Sequence, residues 1–365
     1  MTRSLSLAAA MFGPAAATLL ACSDADTPSS PTAAPALKQA SAPTLTPQQS
    51  GTTNRLQAIS PVNRRVAWAS GVGGTFVVTT DGGNTWRAGV VPGAEALQFR
   101  DVEGISERVA YLMAAGTGTD SRIYKTEDGG ATWTLQFQNE NPNAFYDCFS
   151  FWDQKSAVTF SDAVDGVFPA IRTTDGETWQ NIGAQMPAAQ AGEAAFAASG
   201  TCVATQGGKR AWIATGGAAK ARILATIDGG DSWTAYDTPI TQGTPSSGGL
   251  SVAFRDPHHG ILAGGDLGST TPPTDNVAVS GDGGATWTLT SPTPFASAVF
   301  GLAYVPGFGQ RTVVATGPAG AAWSPDEGAT WNSLPGVSGF WAVAFAGREA
   351  GWLVGVDGTI LKLSF

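Results

Sequence analysis

Histidine is almost missing from this chain: His258 and His259, side by side after Pro257, are the only two in 365 residues. A zinc centre or a His-based catalytic site needs imidazoles, thiolates and carboxylates converging from separate places, so neither is expected, and the pair reads as a solvated turn. Charge is scarce too. Asp, Glu, Lys and Arg make up 13% of the residues and the formal net charge is −9. Such a surface is poor at neutralising phosphates, which argues against a nucleic-acid partner. No Gly-x-Gly-x-x-Gly sits between a strand and a helix, which argues against an oxidoreductase built on a dinucleotide, and neither a metal nor a cofactor is expected. After residue 50 the apolar runs are short. Ala211-Trp212-Ile213-Ala214 and Gly260-Ile261-Leu262-Ala263 are bounded by Gly, Ser and Asp rather than by helix caps, which excludes a helical solenoid and points to strands.

What the chain does have is one sentence written six times. Thr79-Thr80-Asp81-Gly82-Gly83-Asn84-Thr85-Trp86 recurs at Thr126–Trp133, Thr226–Trp233, Ser280–Trp287 and Ser324–Trp331, with a copy one residue shorter at Thr173–Trp179. The general form is Ser/Thr-x-Asp-x-Gly-x-Thr/Ser-Trp. Its Asp (Asp81, Asp128, Asp175, Asp228, Asp282, Asp326) can accept backbone N–H groups of its own turn, and its Gly supplies a positive φ. Its Trp (Trp86, Trp133, Trp179, Trp233, Trp287, Trp331) buries a large ring against a neighbouring sheet. Successive Trp numbers differ by 47, 46, 54, 54 and 44, close to the roughly 40–50 residues of one four-stranded propeller blade. After Trp331 three more strand-like runs remain, at Phe340–Ala346, Trp352–Gly355 and Thr359–Phe365, with no box and no fourth strand. The expectation is an all-β, seven-bladed propeller of four-stranded antiparallel blades. Its last blade would be closed by an N-terminal strand at about Thr44–Gln48, leaving no open edge.

The N-terminal region reads as an address. Arg3 precedes an interrupted apolar run ending in Leu19-Leu20-Ala21-Cys22, which is too short to span a membrane and has the zones of a secretory signal. The division expected is 1–21 signal peptide, 22–51 a disordered Ala/Pro/Ser/Thr-rich tether, and 52–365 one propeller. Removal of Arg3 takes the net charge from −9 to −10.

The eight-residue turn resembles the Asp-box (BNR) repeat of sialidase-like propellers. Leu19-Leu20-Ala21-Cys22 resembles a bacterial lipobox. That implies lipidation of Cys22 and a place on the periplasmic side of the cell envelope, at the outer membrane. Between the boxes stand Leu97-Gln98-Phe99-Arg100-Asp101, Ala144-Phe145-Tyr146-Asp147, Ser161-Asp162-Ala163-Val164-Asp165-Gly166, Gly192-Glu193-Ala194-Ala195-Phe196-Ala197-Ala198-Ser199 and Gly264-Gly265-Asp266, and after the last box comes Gly351-Trp352-Leu353-Val354-Gly355. With the boxes, these words resemble a bacterial branch of the photosystem II stability/assembly factor family over residues 52 to 365. Ser161-Asp162-Ala163 departs from the family's Gly-Asp-Pro, and the third box lacks one glycine.

Aligning inner strands by their alternation places Arg55, Arg100, Asp147 and Glu193 at the first residue of the inner strand in blades one to four. That end of the strand opens on the face opposite the boxes, where the loops between second and third strands bring Asp120, Asp162, Asp165 and Asp266. Arg55, Arg100, Asp147, Asp162, Asp165, Glu193 and Asp266 are therefore the candidate ligand-binding residues. A ring of salt bridges locking blade to blade competes with a binding site. On this register Cys148 lies early in one inner strand and Cys202 after the next, so their Cα atoms should lie beyond the ~7 Å limit of a disulfide. The function expected is a lipid-tethered, monomeric platform that binds a protein or glycan partner on this face. The alternative is a sialidase-like glycoside hydrolase using Asp147 and Glu193; against it, no Arg-Ile-Pro word precedes the first box.

Overall fold

The computed structural model describes residues 41–365. The expected signal peptide, Cys22 and the tether up to residue 40 lie outside the described residues. From residue 41 on, seven four-stranded antiparallel sheets follow one another around an axis. In the first six, strand order is chain order. Blade one is Leu56–Pro61, Ala67–Gly71, Thr75–Thr79 and Arg87–Val90; blade seven is Phe340–Gly347, Ala350–Gly355 and Thr359–Ser364, completed by Thr44–Gln49. The closing strand pairs antiparallel with the third strand of blade seven, from Thr44 opposite Ser364 to Gln49 opposite Thr359. Gln48 fixes the seam. Its Oε1 accepts the indole N–H of Trp86 from blade one and of Trp352 from blade seven, both at 3.0 Å.

Second strands are buried along all or nearly all of their length, with only the end residues Arg210 and Asp266 half-buried, because each sheet is sandwiched between two others, which is why they read as apolar runs. Trp68, Trp212 and Trp352 are the largest side chains wholly inside. Each indole N–H must find an acceptor there, and Trp68 donates to Ser106 O at 2.8 Å and Trp212 to Gly283 O at 2.7 Å, both on the following blade.

The boxes share one hydrogen-bond pattern. In the first, Thr79 Oγ1 and Thr85 N donate to Asp81 Oδ1, Thr85 Oγ1 donates to Oδ2, and Gly83 N donates to Thr79 Oγ1. The Thr85 N–H and hydroxyl hold the Asp81 carboxyl down at about 2, so it is ionised at any ordinary pH. The short third box keeps the pattern despite its missing glycine: Thr178 N and Oγ1 still reach Asp175, and Glu177 N is added. Trp86, Trp233 and Trp287 are buried as expected, whereas Trp133, Trp179 and Trp331 are half-buried. Boxes join third to fourth strands. With the observed strand order they lie on the face opposite the one where inner strands begin.

The expected separation of Cys148 and Cys202 is wrong. The two form a disulfide with Cα atoms 6.1 Å apart. The inner strand of blade four is Val203–Gln206 and does not begin at Glu193, so Cys202 stands at its entrance, beside the Cys148 position of blade three. The bond closes 54 residues of chain. Cys202→Ser should lower the unfolding free energy by about 2–4 kcal/mol, read by urea denaturation, and reduction of the wild type should reproduce the loss. Equal midpoints with and without reductant would sink this account.

Candidate functional site

Near their starts, the inner strands of blades one, two, three, five and seven each slip by one residue against their second strands, and that of blade seven slips again between Phe345 and Gly347. The extra residue near the start is Gln57, Arg100, Asp147, Leu250 or Trp341. A bulge re-aims the side chain it carries, and four of these five line a cup of about 420 Å³ on the face opposite the boxes. In blade four the corresponding place falls to Phe196: Ala194 pairs with Gly216 as Gly248 pairs with Gly265 in blade five.

The cup is blind. Between Phe196 and the inner strand of blade four the chain inserts Ala197–Thr201, and this insertion crosses the axis. Ala197 O accepts from Arg100 Nη1 at 3.3 Å, Ser199 Oγ donates to Phe300 O, Thr201 Oγ1 bonds Ser251 Oγ, and Thr201 O accepts from Val252 N. Blades two, five and six thus hold a plug offered by blade four. Gly200 makes the crossing possible: at φ +79° it presses on Asp101, and a Cβ there would stand 2.1 Å from Asp101 Oδ1. Asp101 is itself buried, with Oδ2 accepting Phe149 N at 2.9 Å, and burial raises its pKa well above the usual carboxylate range.

Two guanidiniums stand over this floor. Arg55 lies 4.7 Å above the Trp341 ring, with its Nε unpartnered. Arg100 lies 5.9 Å from the Phe145 ring and donates to Gln98 Oε1. Among the described residues neither pairs with a carboxylate. Burial, and then the charge of Arg55, weaken the hold of Arg100 on its proton, while Asp147 opposes them.

Two carboxyls face them. Asp147 is 1% exposed and its Oδ2 has no hydrogen-bond donor, while Asp162 Oδ1 accepts Ala195 N at 3.0 Å. The two groups come within hydrogen-bonding reach of each other. Burial first, and the nearby Asp162 charge second, push Asp147 upward; burial also raises Asp162.

Four candidates thus line one cup: Arg55, Arg100, Asp147 and Asp162. Their register differs from expectation. Arg100 and Asp147 are equivalent, but the blade-one residue in that place is Gln57, and Arg55 enters from two residues earlier. Glu193 is not on an inner strand and does not line the cup. It is sealed in the core, with Arg222 donating from Nε to Oε1 at 2.8 Å and from Nη2 to Oε2, Thr215 Oγ1 donating to Oε1, and Gln190 N to Oε2. Asp165, at φ 53°, turns an exposed hairpin between Val164 and Val167. Asp266 accepts Ser246 Oγ, from the approach to the inner strand of blade five, and Gly268 N from its own loop. Asp120 is exposed in a short 3₁₀ turn. A salt-bridge ring linking the four aligned residues is not what these contacts form. Sequence reasoning also missed Trp341, Phe300 and the plug. A numerical signal exists for the plug alone: the bulged residue precedes the first residue of the second strand by ten in blades one, two, three and five, whereas Phe196 precedes Ala211, the residue equivalent in pairing to Ala67 and Ala110, by fifteen.

No protein-family model matches the chain, and no curated protein matches it in sequence. Solved structures do match in fold. YCF48 bound to D1 peptide aligns with a TM-score of 0.62 at 18% identity over 91% of this chain and 97% of that one. YCF48 from Cyanidioschyzon merolae aligns at 0.60 and 17% over 89% and 99%. The WD40 β-propeller domain of Doa1 follows at 0.55 and 14% over 88% and 97%.

Proposed function

We propose that this protein is a cell-envelope platform, lipid-anchored through Cys22, that receives a segment of a partner protein in the cup opposite its Asp boxes. The observation that carries the reading is the pair of guanidiniums, Arg55 and Arg100, each set on an aromatic ring over a blind floor and paired with no carboxylate. Two cations held close together with no carboxylate in contact are costly unless a ligand supplies one, and Arg on an aromatic base is a frequent centre of binding energy at interfaces. That a propeller of the same fold, YCF48, has been solved with a D1 peptide supports a peptide as occupant. The glycosidase alternative loses Glu193, which Arg222 holds away from the cup that Asp147 lines, and the carboxyl left beside Asp147, Asp162, is within hydrogen-bonding reach of it, closer than the ~5 Å that separates a retaining pair.

The test is affinity capture of envelope extracts on the purified propeller, followed by titration of the captured partner. Arg100→Ala and Arg55→Ala should each weaken binding by about tenfold or more and leave the melting temperature nearly unchanged. Retained affinity in both variants would remove the cup from the function. A glycan captured in place of a protein would replace the partner class. Anchoring is tested separately: a fatty-acid probe should label the wild type and not Cys22→Ala.

A further inference from the structure

Inside the cup a second arrangement is unexplained by cation pairing alone. Asp147 Oδ2 is buried and finds no donor, yet a second carboxyl, Asp162, lies within hydrogen-bonding reach. Two ionised carboxylates at that range repel; one proton between them supplies the missing donor. The other groups facing the pair are few. Arg100 approaches from the inner strand of blade two, with Arg55 beyond it. Blade four presents only the Ala195 and Ala197 N–H groups, because Glu193 is tied to Arg222. Asp101, below, is turned to the Phe149 N–H.

We propose that Asp147 and Asp162 hold one proton between them and that this proton gates the cup for a carboxylate-bearing ligand. The inference rests on the cup being the partner-binding site and adds how it is regulated. With the proton in place, two guanidiniums face a single negative charge, so the cup keeps one positive charge for a ligand carboxylate. When the proton leaves to water, the cup becomes neutral and a ligand carboxylate meets a second anion at short range. No bond other than an O–H is made or broken. A rise in pH therefore releases the ligand, and a bound carboxylate holds the proton in place.

The test uses the whole propeller, labelled with [13C]aspartate, and phenylacetate as probe, whose ring suits the aromatic wall and whose carboxylate suits the arginines. The Asp147 and Asp162 carboxyl signals should titrate as a coupled pair, with the upper step above the ordinary carboxylate range, and phenylacetate should move that step further up. Across the step, phenylacetate affinity should fall by up to about tenfold per pH unit. The Asp147→Asn/Asp162→Asn double variant, isosteric with the wild type, should bind phenylacetate with no pH dependence in that window. Should the double variant fail to fold, the wild-type titration decides alone. Independent titration of both carboxyls in the ordinary range, or an upper step that phenylacetate leaves in place, overturns the proposal. Absence of any captured protein partner would defeat the platform reading while leaving these carboxyl shifts intact, so the two failures are distinguishable.

Discussion

Trp68→Ala should cost about 3–5 kcal/mol of unfolding free energy, the largest loss expected from a single truncation. Trp68 is wholly buried, packs against Phe76 and edge-on against Trp133 at 6.2 Å, and donates its indole N–H across the blade boundary to Ser106 O. Truncation therefore opens a ring-sized hole between blades one and two and also strands a carbonyl. Trp331→Ala is the comparison. That box Trp is half-buried, its indole donates to Ser291 O, and its removal should cost well under half as much. Equal losses in urea denaturation would mean that boxes, and not second strands, hold the blades together.

Arg222→Ala should be nearly as damaging, at about 3–5 kcal/mol, because it leaves the Glu193 carboxylate buried without its counter-charge. The double variant Arg222→Ala/Glu193→Gln should recover most of the loss, since the Gln190 N–H can still donate to the amide oxygen while the Thr215 hydroxyl, which faces the other position, can turn to accept from the amide NH2. Measured beside partner binding, this separates architecture from function. If Glu193→Gln abolished binding while stability held, Glu193 would have to be returned to the site.

The fold was legible because its signal is periodic. Six copies of a turn that spends an Asp, a Gly and a Trp on backbone geometry leave little freedom of interpretation, and the boxless tail dictates a borrowed strand at Thr44–Gln49. The cup was legible in part. Arg55, Arg100, Asp147 and Asp162 are charged residues among apolar neighbours, so they stand out, but their register was read from side-chain alternation, which a bulge breaks by one residue. Blade four misled most. Gly192–Ser199 has the small, apolar composition of an inner strand, yet it pairs with its own blade only through Ala194 and Gly216 before the chain turns into the plug. One misplaced strand then displaced both Glu193 and Cys202. Aromatic residues such as Trp341 are invisible as site residues in an apolar run, because propensity is the same for a ring that faces the core and one that faces a ligand.

The seam between Thr44–Gln49 and Thr359–Ser364 has a consequence for how the molecule is made. Gln48 and Trp352, bonded to each other, are 304 residues apart in the chain. Six blades can assemble from neighbours as they emerge, but the first strand of the propeller to be synthesised must wait, unpaired, until the last one, Thr359–Ser364, arrives. A chain threaded N-terminus first through a membrane would deliver an open ring with an exposed edge at each end, vulnerable to proteases and to pairing with its own copies. Ring closure, and not blade formation, should therefore set the pace at which this protein becomes resistant to proteolysis.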